Sequence, residues 1–411
     1  MKRYVLTVLL LLFAAGGVGG YYVYAATDRL PEYKLVKVEG DSRIGLEIEL
    51  SGLYGGRFRS QFLTVSTDGS RYYSRRPFYE NTVFSARSWM GEVPGLRELK
   101  QKHRQFMRGK GIPDGFLIDG EWAVYAEAAS ETSNTLKIEH LHLASGKTAR
   151  FVTELPVQEG LSRMHAVDVQ RQGNELHVLT TYYLAMGDKM PSQAYFDNVI
   201  DLSSGRLLRQ QKLEPSIDRP KNAMVDAVTA DGFTTPSGYV VLRVRENIAQ
   251  DGLTEENSIS NAVDSERQTI MKSTLYGYSY KTGQMTKLQV PLTGLNEQWN
   301  ENIAVADNRI VVVTNHEKRI IILAYDLVSG KIDKELIIAA EDLGVTQMGM
   351  TRFRDGKIYM AAQQSSLPIA LVLDWENGAL LYKGKAVYAG PVSEAEEAIK
   401  QLTLLDLKFR A

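Results

Sequence analysis

The 411-residue sequence contains no cysteine. That excludes disulfides, thiolate metal sites, a cysteine nucleophile and a lipidated cysteine. An excess of charge of either sign is also missing: 48 basic residues face 49 acidic ones, for a formal net charge of -1. Such a chain has no global field with which to hold nucleic acid, so no nucleic-acid partner is expected. The familiar linear signatures of catalysis are absent too. The sequence has no Gly-x-Ser-x-Gly elbow, no His-Glu-x-x-His, no Walker loop and no EF-hand spacing. What is present is ordinary globular material, 44% hydrophobic and 24% charged, which excludes a mostly disordered or collagen-like chain. The length suits one large domain or two ordinary ones.

The N-terminus carries the one long apolar run. Lys2 and Arg3 precede an uncharged stretch from Tyr4 to Thr27, which Asp28 and Arg29 end. Such a run is long enough to cross a bilayer as a helix, and basic residues before it favour a cytoplasmic N-terminus. Two readings follow. As an anchor, the run uses Tyr21, Tyr22 and Tyr24 as an aromatic belt at the outer interface. As a signal peptide, it uses Leu9 to Phe13 as its apolar heart and is cleaved after Ala25. Both place the body outside the cytoplasm, single-pass and membrane-bound or secreted. Residues 1–26 are therefore expected to be a transmembrane anchor or signal peptide, 27–33 a short linker, and 34–411 the folded body.

The body repeats. An alternating apolar strand, one or two polar residues, a glycine and a second strand recur along it. The pattern reads Thr67-Asp68-Gly69, Ser145-Gly146-Lys147, Ser203-Ser204-Gly205-Arg206, Thr282-Gly283, Ser329-Gly330-Lys331 and Asn377-Gly378. Glycine closes each because a tight turn needs a residue that accepts positive φ. Upstream of every one lies a second turn signal: Gly40-Asp41, Asp119-Gly120, Gly173-Asn174, Ser237-Gly238, Asp307-Asn308 and Asp355-Gly356. The unit is strand, tight turn, strand, variable loop, strand, tight turn, strand, which describes a propeller blade. Two stacked β-sandwiches would use similar hairpins, but regular paired turns favour the propeller.

The apolar-Asp-apolar-x-Ser-Gly-Lys pattern resembles the loose bacterial class of PQQ-like and YVTN-type propeller repeats, over roughly residues 34 to 390. The resemblance implies an all-β propeller fold, and the paired turns count out as a six-bladed β-propeller of four-stranded antiparallel blades, with a seventh blade from the two chain ends as the alternative. Fold is all it implies. The Trp repeats of the quinone-dependent members are missing, since only four tryptophans occur. Leu402 to Phe409 is expected to close the ring against the first blade, after a short helix capped by Ser393 with Glu396 three residues on. A helical insertion is expected near 94–108, where Leu96, Leu99, His103 and Phe106 recur near helical spacing.

In a four-stranded blade the first and third turns share one face. The middle loops and between-blade connections share the other. The extra residues, 80–114, 185–194 and 247–268, all fall on the second face. If Lys34 to Glu39 opens the first blade, the chain enters from that decorated face. A tether of Thr27 to Tyr33 reaches at most about 25 Å, so the decorated face would look towards the membrane. The orientation reverses if Lys34 to Glu39 is instead a last strand supplied to close the ring.

Few residues offer chemistry. His140 and His142 form His-x-His on a strand, which puts both on one sheet face, yet sequence places no further ligand beside them. His177 reads as a packed or surface strand residue. Asp326 and Asp374 precede turn glycines by four residues, where capping the turn is the simple role. Arg71, Arg75 and Arg76, interleaved with Tyr72 and Tyr73, form the best basic-aromatic cluster. It suits an anionic polymer or lipid headgroups, or else a solvated outer edge whose charges prevent aggregation. No metal, cofactor or catalytic residue is expected. Two functions are open: a membrane-tethered, extracytoplasmic module that binds or senses a ligand, a membrane protein or the membrane surface, and an enzyme acting on polysaccharide or cell-wall glycan with carboxylates gathered from several blades.

Overall fold

In the computed structural model the described residues are 13–19, 30–55, 60–75, 94–130, 132–158, 161–184, 193–215, 223–230, 236–248, 270–290, 301–306, 308–316 and 318–410. They form six antiparallel sheets, five of four strands and one of five. The chain is a β-propeller, and the described residues make six blades. Blades 2 to 6 are each built in chain order from four consecutive strands, innermost first. Their inner strands are Phe116–Asp119, Leu161–Gln172, Met224–Val228, Glu301–Ala306 and Gln347–Arg354. Blade 1 is composite. Its outer three strands are Ile48–Gly55, Ser60–Ser66 and Gly69–Tyr72, and its inner strand is Leu402–Phe409 from the C-terminus.

The repeat pattern works through side-chain chemistry at the outer turns. Asp201, Asp326 and Asp374 each end the third strand of a blade and turn a carboxylate back on the chain. Asp374 Oδ1 accepts from the amides of Glu376 and Asn377 at 2.8 and 3.1 Å. Asp201 Oδ1 accepts from the amides of Ser203 and Ser204 at 3.0 and 2.8 Å, and these bonds with the two serine hydroxyls lower its pKa to about 2. The glycine that follows sits at φ near 70° in all three turns, with its amide returned to the aspartate carbonyl. A carboxylate loop plus a left-handed glycine stops one strand and starts the next without help from the rest of the fold.

Between blades the contacts are apolar and alternate by face. One cluster joins blades 5 and 6 through residues such as Val313, Ile322, Met360 and Leu371. Others join blade 2 to 3, 3 to 4 and 4 to 5. Blade 6 meets blade 1 through Tyr359, Val372, Leu50, Leu63, Leu404 and Leu407. The seam between blades 1 and 2 is built differently. There the face of blade 2 carrying Phe116, Ala123, Tyr125 and Leu141 is covered by the insertion helices, Pro94–Lys102 and Arg104–Met107, through Leu96, Leu99, Phe106 and Met107. The helical rhythm of the sequence is real but breaks at His103 between the two pieces. Lys110, just after them, is buried, and its Nζ pairs with Glu139 Oε2 of blade 2 at 2.6 Å. The insertion reaches blade 1 through Arg97, whose guanidinium donates to the carbonyl of Arg410 at 2.9 Å.

Two expectations about the chain ends are corrected. Gly40-Asp41 is not a hairpin turn. Tyr33–Gly40 joins blade 6 as a fifth, outermost strand, antiparallel to Leu380–Tyr388, with Tyr33 opposite Tyr388. The chain then crosses to blade 1 through a short helix, Ser42–Leu46, where Asp41 accepts the Arg43 amide as its cap. Among the described residues the two ends therefore complete two different blades, the first strand on the outside of blade 6 and the last on the inside of blade 1. The second correction is the C-terminal helix: a 3-10 turn, Val392–Glu394, precedes Ala395–Lys400, and Glu394 rather than Ser393 sits at its cap position. The closing strand itself is where the sequence put it, paired with Ile48–Gly55 from Ile48–Phe409 to Tyr54–Leu402.

Tyr33–Gly40 is thus a closing strand, yet the chain still enters from the face of the long connections. Its partner strand ends on that face at Tyr388, and antiparallel pairing makes Tyr33 start there. Helix is present over residues 13–19. Among the described residues no helix is long and apolar enough to cross a membrane, and most of the run from Tyr4 to Thr27 lies outside them.

The two closures differ in consequence. Removing Leu402–Ala411 takes the inner strand from blade 1 and uncovers the 6–1 seam, so we expect no folded monomer. Removing residues 1–40 leaves every blade with four strands and loses mainly Tyr33 and Leu35, both fully buried. That costs about 3–6 kcal/mol on area grounds and should lower the melting temperature of a monomer that still folds. Thermal melts with light scattering on both truncations check this. A C-terminal truncation that melts like the intact body would remove the closure strand from the account.

Candidate functional site

The inner strands of four blades line a cleft of about 430 Å3, through Ala227 to Ala230, Asn302 to Ala304, Arg352, Phe353 and Phe409. Blades 4, 5, 6 and 1 each contribute. One wall is small and aliphatic, from blade 4. The opposite wall carries Phe353 and Phe409, with the Arg354 guanidinium 4.3 Å from the Phe409 ring centre. Its volume falls within the range of small-molecule clefts.

Its walls are cross-tied from blade to blade. Ala230 bridges to Val305 in parallel, joining blades 4 and 5. Asn302 Nδ2 donates to the Thr351 hydroxyl at 2.6 Å and to its carbonyl, joining blades 5 and 6. Arg352 grips Asp406 through both ends of its fork, Nε to Oδ1 at 3.1 Å and Nη2 to Oδ2 at 2.9 Å, joining blades 6 and 1. Farther up blade 4, Asp226 pairs with Arg245 and Arg243. The charges beside the cleft are engaged with one another. Each pair is contributed by residues distant in sequence, which is why no linear motif announced the site.

A second polar concentration lies buried between the faces of blades 3 and 4. His177 Nδ1 is 2.9 Å from Asp197 Oδ2, and the Tyr278 hydroxyl donates to the same oxygen at 2.7 Å. Beside it the Tyr280 hydroxyl donates to Asp168 Oδ2 at 2.6 Å, while the Val169 amide and Gln170 Nε2 donate to Oδ1 at 2.9 and 3.0 Å. Gln170 in turn accepts from the Ser237 amide of blade 4 at 2.8 Å. His177, Asp197, Tyr278 and Tyr280 are all at most 1% exposed, and His177 Nε2 has no partner. The sequence reading of His177 as a packed residue fits this place. Its carboxylate partner Asp197 was not foreseen, nor was the buried Asp168 nearby, because strand alternation alone does not say that either faces inward.

The sequence-predicted residues divide. Arg71 and Tyr73 are exposed at the outermost strand of blade 1 and the turn after it. Tyr72 is 4% exposed and turns inward, its hydroxyl donating to the Pro31 carbonyl at 2.7 Å, so it is no part of a surface grip. The Arg75 backbone lies in the turn, and Arg76 is outside the described residues. His140 and His142 do share a face, and what they share is Trp122, with ring centres 5.1 and 4.8 Å away. His140 also stacks on Phe151 at 5.5 Å and 12°, and burial, with Arg171 nearby, lowers its pKa. Among the described residues no group of three or more His, Asp or Glu could hold a metal ion.

The ring contacts with Trp122 and Phe151 are what the pair contributes in this structure. Replacing both histidines by alanine should cost about 1–3 kcal/mol of stability through lost ring contacts. The loss should be the same with and without a chelator, measured by denaturant titration. A chelator that destabilises the parent but not the double variant would reinstate a metal.

No family model matches the sequence, and no curated protein matches it. Solved structures with a similar course include a luciferin-regenerating enzyme, 11% identical over 67% of this chain and 76% of its own, with a TM-score of 0.33. The β-propeller domain of the trilobed protease from Pyrococcus furiosus is 10% identical over 85% of this chain and 84% of its own, also at 0.33. An acylaminoacyl peptidase from Pyrococcus horikoshii is 10% identical over 86% of this chain, which spans 48% of that protein, at 0.35.

Proposed function

We propose that the chain is a membrane-tethered, extracytoplasmic propeller that binds a ligand or partner and performs no chemistry on it. The observation that carries this reading is the inner-strand cleft. Its charged and amide side chains are committed to cross-ties between neighbouring blades, Arg352 to Asp406 and Asn302 to Thr351, which leaves Thr229 as the polar side chain on its aliphatic wall. Groups bound this way shape a cavity and orient a ligand, whereas acid–base chemistry needs a group left with a proton to exchange. The run from Tyr4 to Thr27 supplies the tether. Because Tyr33 starts on the face of the long connections, that face would look towards the bilayer, and a membrane protein or headgroup surface is the natural partner there.

Two measurements test the reading. The chain has no native thiol, so cysteines placed at Ser130, in a loop on the connection face, and Ser329, in a turn on the other, report without background. On intact cells a bulky impermeant reagent should label Ser329→Cys several-fold faster, and releasing the body from its anchor should remove the difference. Equal or reversed rates would reject the membrane-facing orientation. For the cleft, Thr229→Trp should abolish the thermal shift given by any compound that stabilises the parent. Turnover of a cell-wall glycan oligosaccharide, blocked by the same substitution, would favour the enzyme instead.

A further inference from the structure

The buried network between blades 3 and 4 contains two carboxylates and little to neutralise them. Asp168 is enclosed by its own strand, by Tyr280 of blade 4 and by the 3-10 turn Pro113–Gly115 of blade 2. The groups facing it are hydroxyl, amide and carboxamide donors, together with the Asp114 carboxyl, which repels its charge. No described lysine or arginine forms an ion pair with it. Asp197 has His177 and the Tyr278 hydroxyl, and Arg209 on the outer strand of the same blade acts on Tyr278. Gln211 completes the rim, its Nε2 donating to the Gly283 carbonyl of blade 4 at 2.8 Å.

We propose that the seam between blades 3 and 4 is a proton-controlled joint, tightest when Asp168 is protonated and loosened when it ionises. A carboxyl sealed between two sheets without a cation is costly to charge. If the seam opens, water reaches it and the charge is no longer penalised. Burial pushes the Asp168 carboxyl up to about 6, against its hydrogen bonds and with help from Asp114. The sign follows directly. A carboxyl whose pKa is higher in the closed state than in the open one binds more protons when closed. Its contribution to closure is complete below the ordinary carboxyl range and is lost as pH rises through about 6. Tyr278 and Tyr280 are held far above neutrality by the same burial and stay protonated throughout. The joint thus answers to mild acid, in the range an extracytoplasmic body meets and a buffered cytoplasm does not.

The test is hydrogen exchange by mass spectrometry on the full chain, corrected for the intrinsic effect of pH on exchange. Peptides from Leu161–Gln172 and Ile270–Ser279 should open about tenfold more readily at pH 7.5 than at pH 5, as the linkage of a two-unit shift requires. Peptides from the apolar 5–6 seam should not follow. Asp168→Asn should flatten the pH dependence at the 3–4 seam. Tyr280→Phe removes a donor that favours the ionised carboxyl, so it should move the midpoint upward. It also serves if the asparagine variant fails to fold. An unchanged profile in Asp168→Asn, an unmoved midpoint in Tyr280→Phe, or a profile abolished by His177→Gln and not by Asp168→Asn would each overturn the proposal.

Discussion

The structure rests on ring closure. A four-stranded blade has two faces, and each is apolar only because a neighbour covers it. The inner strand of blade 1 comes from the far end of the chain, Leu402–Phe409, so blade 1 is incomplete until the last residues arrive. Leu404 and Leu407 on that strand are then buried against Tyr359 and Val372 of blade 6. A second strand from the other end, Tyr33–Gly40, lies along the outside of blade 6. Tyr33 from this strap reaches the Ala398 carbonyl at 2.7 Å, and Tyr72 of blade 1 reaches back to Pro31. The first and last parts of the chain thus fasten the same seam from outside and inside.

The remaining seams are not equivalent. Blades 5 and 6 meet through a large apolar cluster. Between blades 1 and 2 two short helices fill the space, held by a buried lysine. The seam between blades 3 and 4 has an apolar part, with Leu179, Val240 and Leu242, and a sealed polar part around Asp168 and Asp197. Apolar packing is indifferent to pH, whereas a buried carboxyl without a cation is not. One ring therefore contains joints of different chemical character, and the polar one is the place where surroundings can act on it.

The inner-strand cleft follows from the same closure. Inner strands of three blades bring Asn302, Thr351, Arg352 and Asp406 together although Asn302 and Asp406 lie 104 positions apart in sequence. Each of these side chains ties one blade to the next, so the walls of the cleft and the stability of the ring depend on the same bonds. A cleft made this way has walls that cannot move without breaking a tie between blades.

Much of the blade was legible because its causes are local. Asp374, Gly378 and the strands beside them settle a turn within a handful of residues, and the same chemistry repeats at Asp201 and Asp326. The insertion could be read from the spacing of Leu96, Leu99 and Phe106. Gly40-Asp41 carried the same signal as the true turns and misled, because a glycine that accepts positive φ can end a strand without starting its partner; where the chain goes next is set by which sheet has an open edge. The inward aspect of Asp168, Asp197 and Tyr72 was likewise hidden, since alternation gives two faces and packing alone chooses between them. Composition, turns and strand rhythm determined by themselves that this is an all-β chain of repeated four-stranded units. Which blade each end completes, which polar groups are buried and where a cleft opens were decided only by closing the ring, because those contacts join residues whose separation along the chain leaves no local trace.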